Sequence, residues 1–123
     1  MDQVTGFEIP AVNLKRSVKF FKTVFNWKVS AIEDDYTHVE TVPTDSDWMP
    51  KEKGAINGGL FKKEAKDKGP LIVISVDSID KTFDKVKKAK GKVISKKEAV
   101  GEWGYWALIQ DTEGNLLELW EDK

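Results

Sequence analysis

The sequence contains no cysteine. Disulfide frameworks, thiolate metal centres and cysteine nucleophiles are thereby excluded, and a reducing compartment is compatible with the absence. Histidine is nearly absent as well, with His38 the single instance. One-histidine chains rarely carry a side-chain metal centre, because such centres need several donors in fixed geometry. No stretch approaches the ~20 consecutive apolar residues of a membrane span. The opening MDQVTGFEIP lacks a basic region followed by an apolar run, so no signal peptide is expected and a cytoplasmic location is. Charge of one sign is also missing. The formal net charge is −1, and such a balance calls for neither nucleic acid nor an anionic membrane as partner.

What is present suits a folded domain. A chain of 123 residues fits one domain, and 40% hydrophobic with 33% charged residues is too apolar for disorder. Five Trp and six Phe supply bulky core material.

Along the chain, Val4 to Ala11 (VTGFEIPA) reads as a strand, and Asn13 is a fitting N-cap for the next segment. Leu14, Val18, Phe21 and Phe25 recur at helical spacing up to a stop at Asn26. Lys28 to Glu33 and Tyr36 to Val42 read as strands around the turn residues Asp34 and Asp35. A polar loop, PTDSDWMPKEKG, leads to a short strand, Ala55 to Lys62, weakened by Gly58 and Gly59. The charged stretch 63–69 is a linker. Leu71 to Val76 is a buried-type strand, followed by a helix capped at Asp77 or Ser78 that ends at Gly91. KVISKKEAV, GYWALIQD and NLLELWE are three further strands, the last two joined by the DTEGN turn.

The order is therefore β-α-β-β-β twice: module one at 1–62 and module two at 70–123, within a single domain 1–123. An offset of 65 places Phe7 on Ile72, Ile9 on Ile74, Leu14 on Ile79, Val18 on Phe83 and Val29 on Ile94. Apolar residues coincide with apolar residues across a strand, a helix and the next strand, which points to an internal duplication.

These segments resemble the vicinal oxygen chelate superfamily, the glyoxalase/bleomycin-resistance/extradiol dioxygenase fold. The resemblance rests on FEIPAVNLKRSVKFFKTVFNWKV, INGGLF, ISVDSIDKTFDKVKKAKGKVI and GYWALIQDTEGNLLELWE, nearly the whole chain. It implies an α+β fold of two βαβββ modules around a half-barrel cleft, commonly as a homodimer. Many members hold a divalent metal with four side chains, and the metal stabilises negative charge developing on a substrate oxygen. Carried over position by position, the four places fall at Gly6, Gly59, Leu71 and Glu118. Glycine and leucine offer no side-chain donor. The resemblance thus implies a degenerate metal site and no cofactor. The alternative is a divalent metal on a rebuilt set such as Glu8, His38 and Glu118.

Individual residues carry competing readings. Glu118 shares a strand face with Leu116 and Trp120, so it is either a relic held by internal hydrogen bonds or a carboxylate anchoring a polar ligand group. Glu8 is a similar candidate. His38 alone titrates ordinarily near neutrality, and is a weak catalytic candidate beside Glu118. The Trp48–Met49 pair in a polar loop must cover a core edge, a partner or a ligand. Phe20, Phe21 and Phe25 read as core. Trp106 lies on the opposite face from Tyr105 and would line a cleft, and Asn57 opens a glycine pair suited to close approach of a ligand.

Three functions follow. The first is a small-molecule binding protein with Glu8, Trp48, Asn57, Trp106 and Glu118 as ligand-binding residues. The second is a lyase, isomerase or dioxygenase-type enzyme with an altered metal site using Glu118 or His38. The third is an interaction module with a vestigial cleft.

Overall fold

The computed structural model describes residues 1–30 and 33–123. In chain order the elements are β1 (Gln3–Ala11), α1 (Leu14–Phe25), β2 (Lys28–Val29), β3 (Tyr36–Glu40), β4 (Asn57–Lys62), β5 (Leu71–Ser75), α2 (Ile79–Lys88), β6 (Lys92–Val93), β7 (Glu98–Val100), β8 (Gly104–Gln110) and β9 (Leu116–Asp122). The chain divides into two compact units. One comprises Gly6–Pro70, the other Met1–Thr5 with Leu71–Lys123.

In the first of these the strands run β2-β3-β4-β1, with β1 parallel to β4 and the other pairs antiparallel. The expected strand at Lys28 to Glu33 shortens to Lys28–Val29, and Ala31 and Ile32 lie outside the described residues. Helix α1 begins where the Asn13 side chain accepts from the Arg16 amide. It ends where Asn26 takes a left-handed φ of 58° and donates its amide to the Lys22 carbonyl. The Trp27 ring, placed just after that turn, stacks on Phe21 at 4.8 Å and meets Phe7 of β1 at 5.6 Å. Helix α1 therefore covers the sheet face that carries Phe7. Phe20 and Phe25 are each 55% exposed, which corrects their reading as core. Phe20 stands off the Leu14–Val18–Phe21 stripe, and Phe25 sits at the open end of the aromatic stack.

The other unit repeats the arrangement. Its strands run β5-β9-β8-β6, with β5 parallel to β9 and the remaining pairs antiparallel, and β7 also pairs with β8. Thr5, at the start of β1, lies beside β5, its hydroxyl 2.7 Å from that of Ser75. The core gathers Val76, Ile79, Ala107, Ile109 and Leu119, with Ile74, Phe83 and Val86 packed on it. Glu121 ties this core to the helix. Its carboxylate accepts the Ile79 amide at 2.7 Å and Lys97 Nζ at 2.9 Å.

Two sequence expectations change here. KVISKKEAV is two short strands, because both Ile94 and Ser95 donate their amides to the Leu108 carbonyl and the Ser95 hydroxyl takes the Leu108 amide, which breaks the ladder. Helix α2 ends at Lys88, and the left-handed residue is Lys90, with φ 71°, and not Gly91. Gly91 serves close packing: a Cβ there would lie 2.8 Å from the Gln110 carbonyl oxygen and 2.9 Å from Val86 Cγ1.

Candidate functional site

Strand alternation leaves Glu8, Asn57, Gly59, Tyr36, His38 and Glu40 on the face turned away from α1. Glu8, Gly59 and His38 form one row across β1, β4 and β3. The Tyr36 hydroxyl donates to Glu8 Oε1 at 3.1 Å. A Cβ at Gly59 would overlap that phenol and lie 2.5 Å from Glu8 Oε2. The second ligand place of the family pattern is therefore taken up by Tyr36, a residue the sequence reading passed over. The available signal was its position two residues before His38 on the same strand face.

His38 is partly buried, and its Nδ1 has no hydrogen-bond partner among the described residues. Burial lowers its pKa, and Glu40 opposes this to a smaller degree. The imidazole is thus held neutral at pH 7. Its ring meets that of Trp48 edge-on, with centroids 5.7 Å apart and planes at 88°. Trp48 adopts a left-handed φ of 62° and is 60% exposed. Asp45 builds this turn by accepting the Asp47 and Met49 amides. Glu40 accepts the Thr44 hydroxyl at 2.7 Å and stands 3.8 Å from Lys28 Nζ.

Asn57 is buried and its amide is engaged locally. Oδ1 accepts the Thr41 amide at 2.7 Å, the Thr41 hydroxyl at 3.2 Å and the Val42 amide at 3.2 Å, while Nδ2 donates to the Val42 carbonyl. These bonds fasten the chain that leaves β3, which is why β3 ends at Glu40 and not at Val42.

In the other unit, Val73, Glu118 and Leu108 form one row across β5, β9 and β8. Leu116 and Trp120 share the Glu118 face, and Trp120 is in register with Trp106. No described residue hydrogen-bonds the Glu118 carboxyl. Its apolar surroundings push its pKa up to about 7. The residue is partly open at the surface. Glu121, three positions on, faces α2 and has the opposite fate, its pKa lowered first by the Ile79 amide and then by Lys97.

The two rows correspond. Sheets β1-β4-β3 and β5-β9-β8 share one topology, and the offset of 65 sets Glu8 on Val73. Gly59 and Glu118 then hold equivalent places. Gly6, Gly59 and Leu71 offer no side-chain donor. Among the described residues no group of three or more His, Asp or Glu is placed to hold a metal ion. The Gly59 place is filled by the Tyr36 phenol. No described helix is long and apolar enough to cross a membrane.

Comparisons with known proteins agree with this architecture. Residues 2–119 match the model of the Glyoxalase/Bleomycin resistance protein/Dioxygenase superfamily. A glyoxylase-like domain-containing protein of Didymella fabae is 30% identical over 119 residues, spanning 92% of this chain and 88% of the relative. Among solved structures, a hypothetical protein of Bacillus halodurans superposes with a TM-score of 0.71 at 17% identity, covering 99% of this chain and 95% of that one. A methylmalonyl-CoA epimerase of Streptomyces coelicolor, in complex with 2-nitronate-propionyl-CoA, does so with a TM-score of 0.70 at 15% identity, covering 98% and 96%. Likeness at such identities speaks for the fold alone. With the family model spanning nearly the whole chain, the protein belongs to the glyoxalase/bleomycin resistance protein/dioxygenase superfamily, in an α+β fold of two βαβββ modules.

Proposed function

We propose that this protein binds a small organic molecule without a resident divalent metal, using Glu118 as polar anchor and Trp106 as aromatic surface beside it. The observation that carries the reading is the row Val73–Glu118–Leu108. A carboxyl set among apolar side chains is costly unless a partner compensates it, and a ligand hydrogen bond is such a partner. Glu8 and Trp48 mark a second polar and aromatic face in the other unit, and Asn57 shapes the strand end beside them. A thermal-shift screen of small aromatic compounds in EDTA tests the reading. Ligands should raise Tm equally with and without chelator, and Glu118→Leu should weaken them about tenfold, the worth of one good polar contact. Stabilisation that requires Zn²⁺, Ni²⁺ or Mn²⁺ would overturn the metal-free reading.

A second reading is enzymatic, with Glu118 as general base or acid. A carboxyl whose pKa stands at about 7 exchanges its proton readily at neutral pH. Incorporation of solvent deuterium into a bound ligand's acidic C–H, lost in Glu118→Gln, would establish it. We place the protein in the cytoplasm as a homodimer. Phe20, Val24 and Phe25 of α1, all more than half exposed, offer apolar surface to a second copy, and sedimentation equilibrium decides that point.

A further inference from the structure

On the face of β5, β9 and β8 turned away from α2, one half-buried carboxyl has no partner among the described residues. Glu118 stands in the row between Val73 and Leu108, both buried. The other polar side chains that these strands place on that face are already engaged. The Ser75 hydroxyl pairs with that of Thr5 at 2.7 Å. Gln110 Nε2 donates to the Gly114 carbonyl at 3.2 Å, and Asp122 accepts Trp120 Nε1 at 2.7 Å. The Trp120 indole is packed against Gly104, where a Cβ would lie 2.5 Å from its Cζ2. Trp106, two residues before Leu108 and on the same face, is the aromatic surface left beside the carboxyl. No Lys or Arg stands on this face of β5, β8 or β9. The other charged residues there are Asp122 at the end of β9, Glu98 on β7, in register with Trp106, and Lys92 on β6, in register with Gln110. All three are exposed.

We propose that Glu118 and Trp106 recognise a flat, neutral ligand that carries a hydrogen-bond donor and an acceptor side by side, as a lactam or other cyclic amide does. A protonated carboxyl offers the matching pair: its O–H donates to the ligand carbonyl and its own C=O accepts the ligand N–H. Both bonds form without taking a charge out of water. The apolar row favours the protonated form, and burial pushes the Glu118 pKa up to about 7. A primary ammonium would bring three N–H donors to a single carboxyl and would bury an ion pair beside Val73 and Leu108. A carboxylate ligand would meet no cation on the three strands. Asp122, Glu98 and Lys92 stand in water, where salt screens them. The proposal names the ligand class of the Glu118 site, and it rests on the small-molecule reading.

Nuclear magnetic resonance of the ¹⁵N-labelled full chain tests it with three bicyclic probes: quinolin-2-one, its N-methyl derivative and naphthalen-2-ylmethylammonium. At pH 6 quinolin-2-one is expected to shift the Trp106 indole N–H and the Glu118 amide saturably. Its affinity should stand about tenfold above that of the N-methyl derivative, which lacks the donor. That affinity should fall about tenfold between pH 6 and pH 8.5, as the carboxyl loses its proton. Glu118→Gln puts an amide in place of the acid and still offers donor and acceptor, so it should keep the preference and abolish the pH dependence. Gln is isosteric with Glu, and the fold of this variant is verified in the same spectra. Glu118→Leu should abolish the preference. Equal binding of the N-methyl derivative, tighter binding of the ammonium, or loss of the preference in Glu118→Gln overturns the inference. Saturable shifts at Trp106 from all three probes alike overturn it and leave the small-molecule reading standing. No shift from any of the three overturns it and counts against that reading as well.

Discussion

The Tyr36 phenol fills the side-chain space that Gly59 leaves on β4. In the equivalent sheet that same place belongs to Glu118. One position thus carries opposite solutions in the two modules. Polar groups surround a bare backbone in the first, and apolar groups surround a carboxyl in the second.

Gly59→Ala should destabilise the protein by about 1–3 kcal/mol, the usual cost of overpacking, because the new methyl meets the phenol. In a Tyr36→Ala background the same change should cost little. A double-mutant cycle by chemical denaturation reads the coupling, expected above about 1 kcal/mol. Additive effects would mean that the phenol does not hold that space.

Glu118 sets a pH dependence of stability. Its folded pKa, about 7, lies above the ordinary 4.5, so the folded state binds the extra proton between those values. The stabilisation is complete below pH 4.5 and is lost as pH rises through 7. Glu118→Gln removes this loss. It should leave Tm unchanged near pH 4.5 and raise stability at pH 8 by up to about 3 kcal/mol, less the share that water restores to a partly open group. Parallel Tm–pH profiles for the two proteins would contradict this.

His38 runs the other way. Burial lowers its pKa, so its contribution is present above 6.5 and is lost as pH falls through the lowered value. Titration of its ring protons by nuclear magnetic resonance should give a midpoint below 6.5. Because Glu40 pulls that midpoint upward, Glu40→Gln should lower it further.

Asn57→Ala should cost about 1–3 kcal/mol, since it strips partners from the part-buried amides of Thr41 and Val42. Asn57→Asp keeps the accepting oxygen and forfeits only the bond to the Val42 carbonyl, so its loss should be smaller. Urea unfolding ranks the two. Faster hydrogen exchange confined to the amides of Thr41 and Val42 would identify the mechanism.

Local chemistry was legible in the sequence wherever a residue acts on its own neighbourhood. Asn13, Asn26 and Ser78 bound their helices as their side chains and backbone preferences dictate. What could not be read depends on register between strands far apart in the chain. Nothing near Gly59 in sequence announces Tyr36, and nothing near Ile79 announces Glu121. Phe20 and Phe25 misled for a related reason: aromatic residues on a helix suggest a core, but Phe20 stands off the stripe that faces the sheet and Phe25 lies at its open end.

β1 has one further consequence. Met1–Thr5 belongs with Leu71–Lys123, whereas the rest of the strand belongs with Gly6–Pro70. The two units are therefore not two contiguous stretches of chain. Cleavage in the stretch 63–69 would release a C-terminal fragment without Thr5, the hydroxyl partner of Ser75. A circular permutant that opens this stretch and joins Lys123 to Met1 would instead present Met1–Thr5 directly after β9, so the assignment of this segment to the second unit can be tested by reordering the chain.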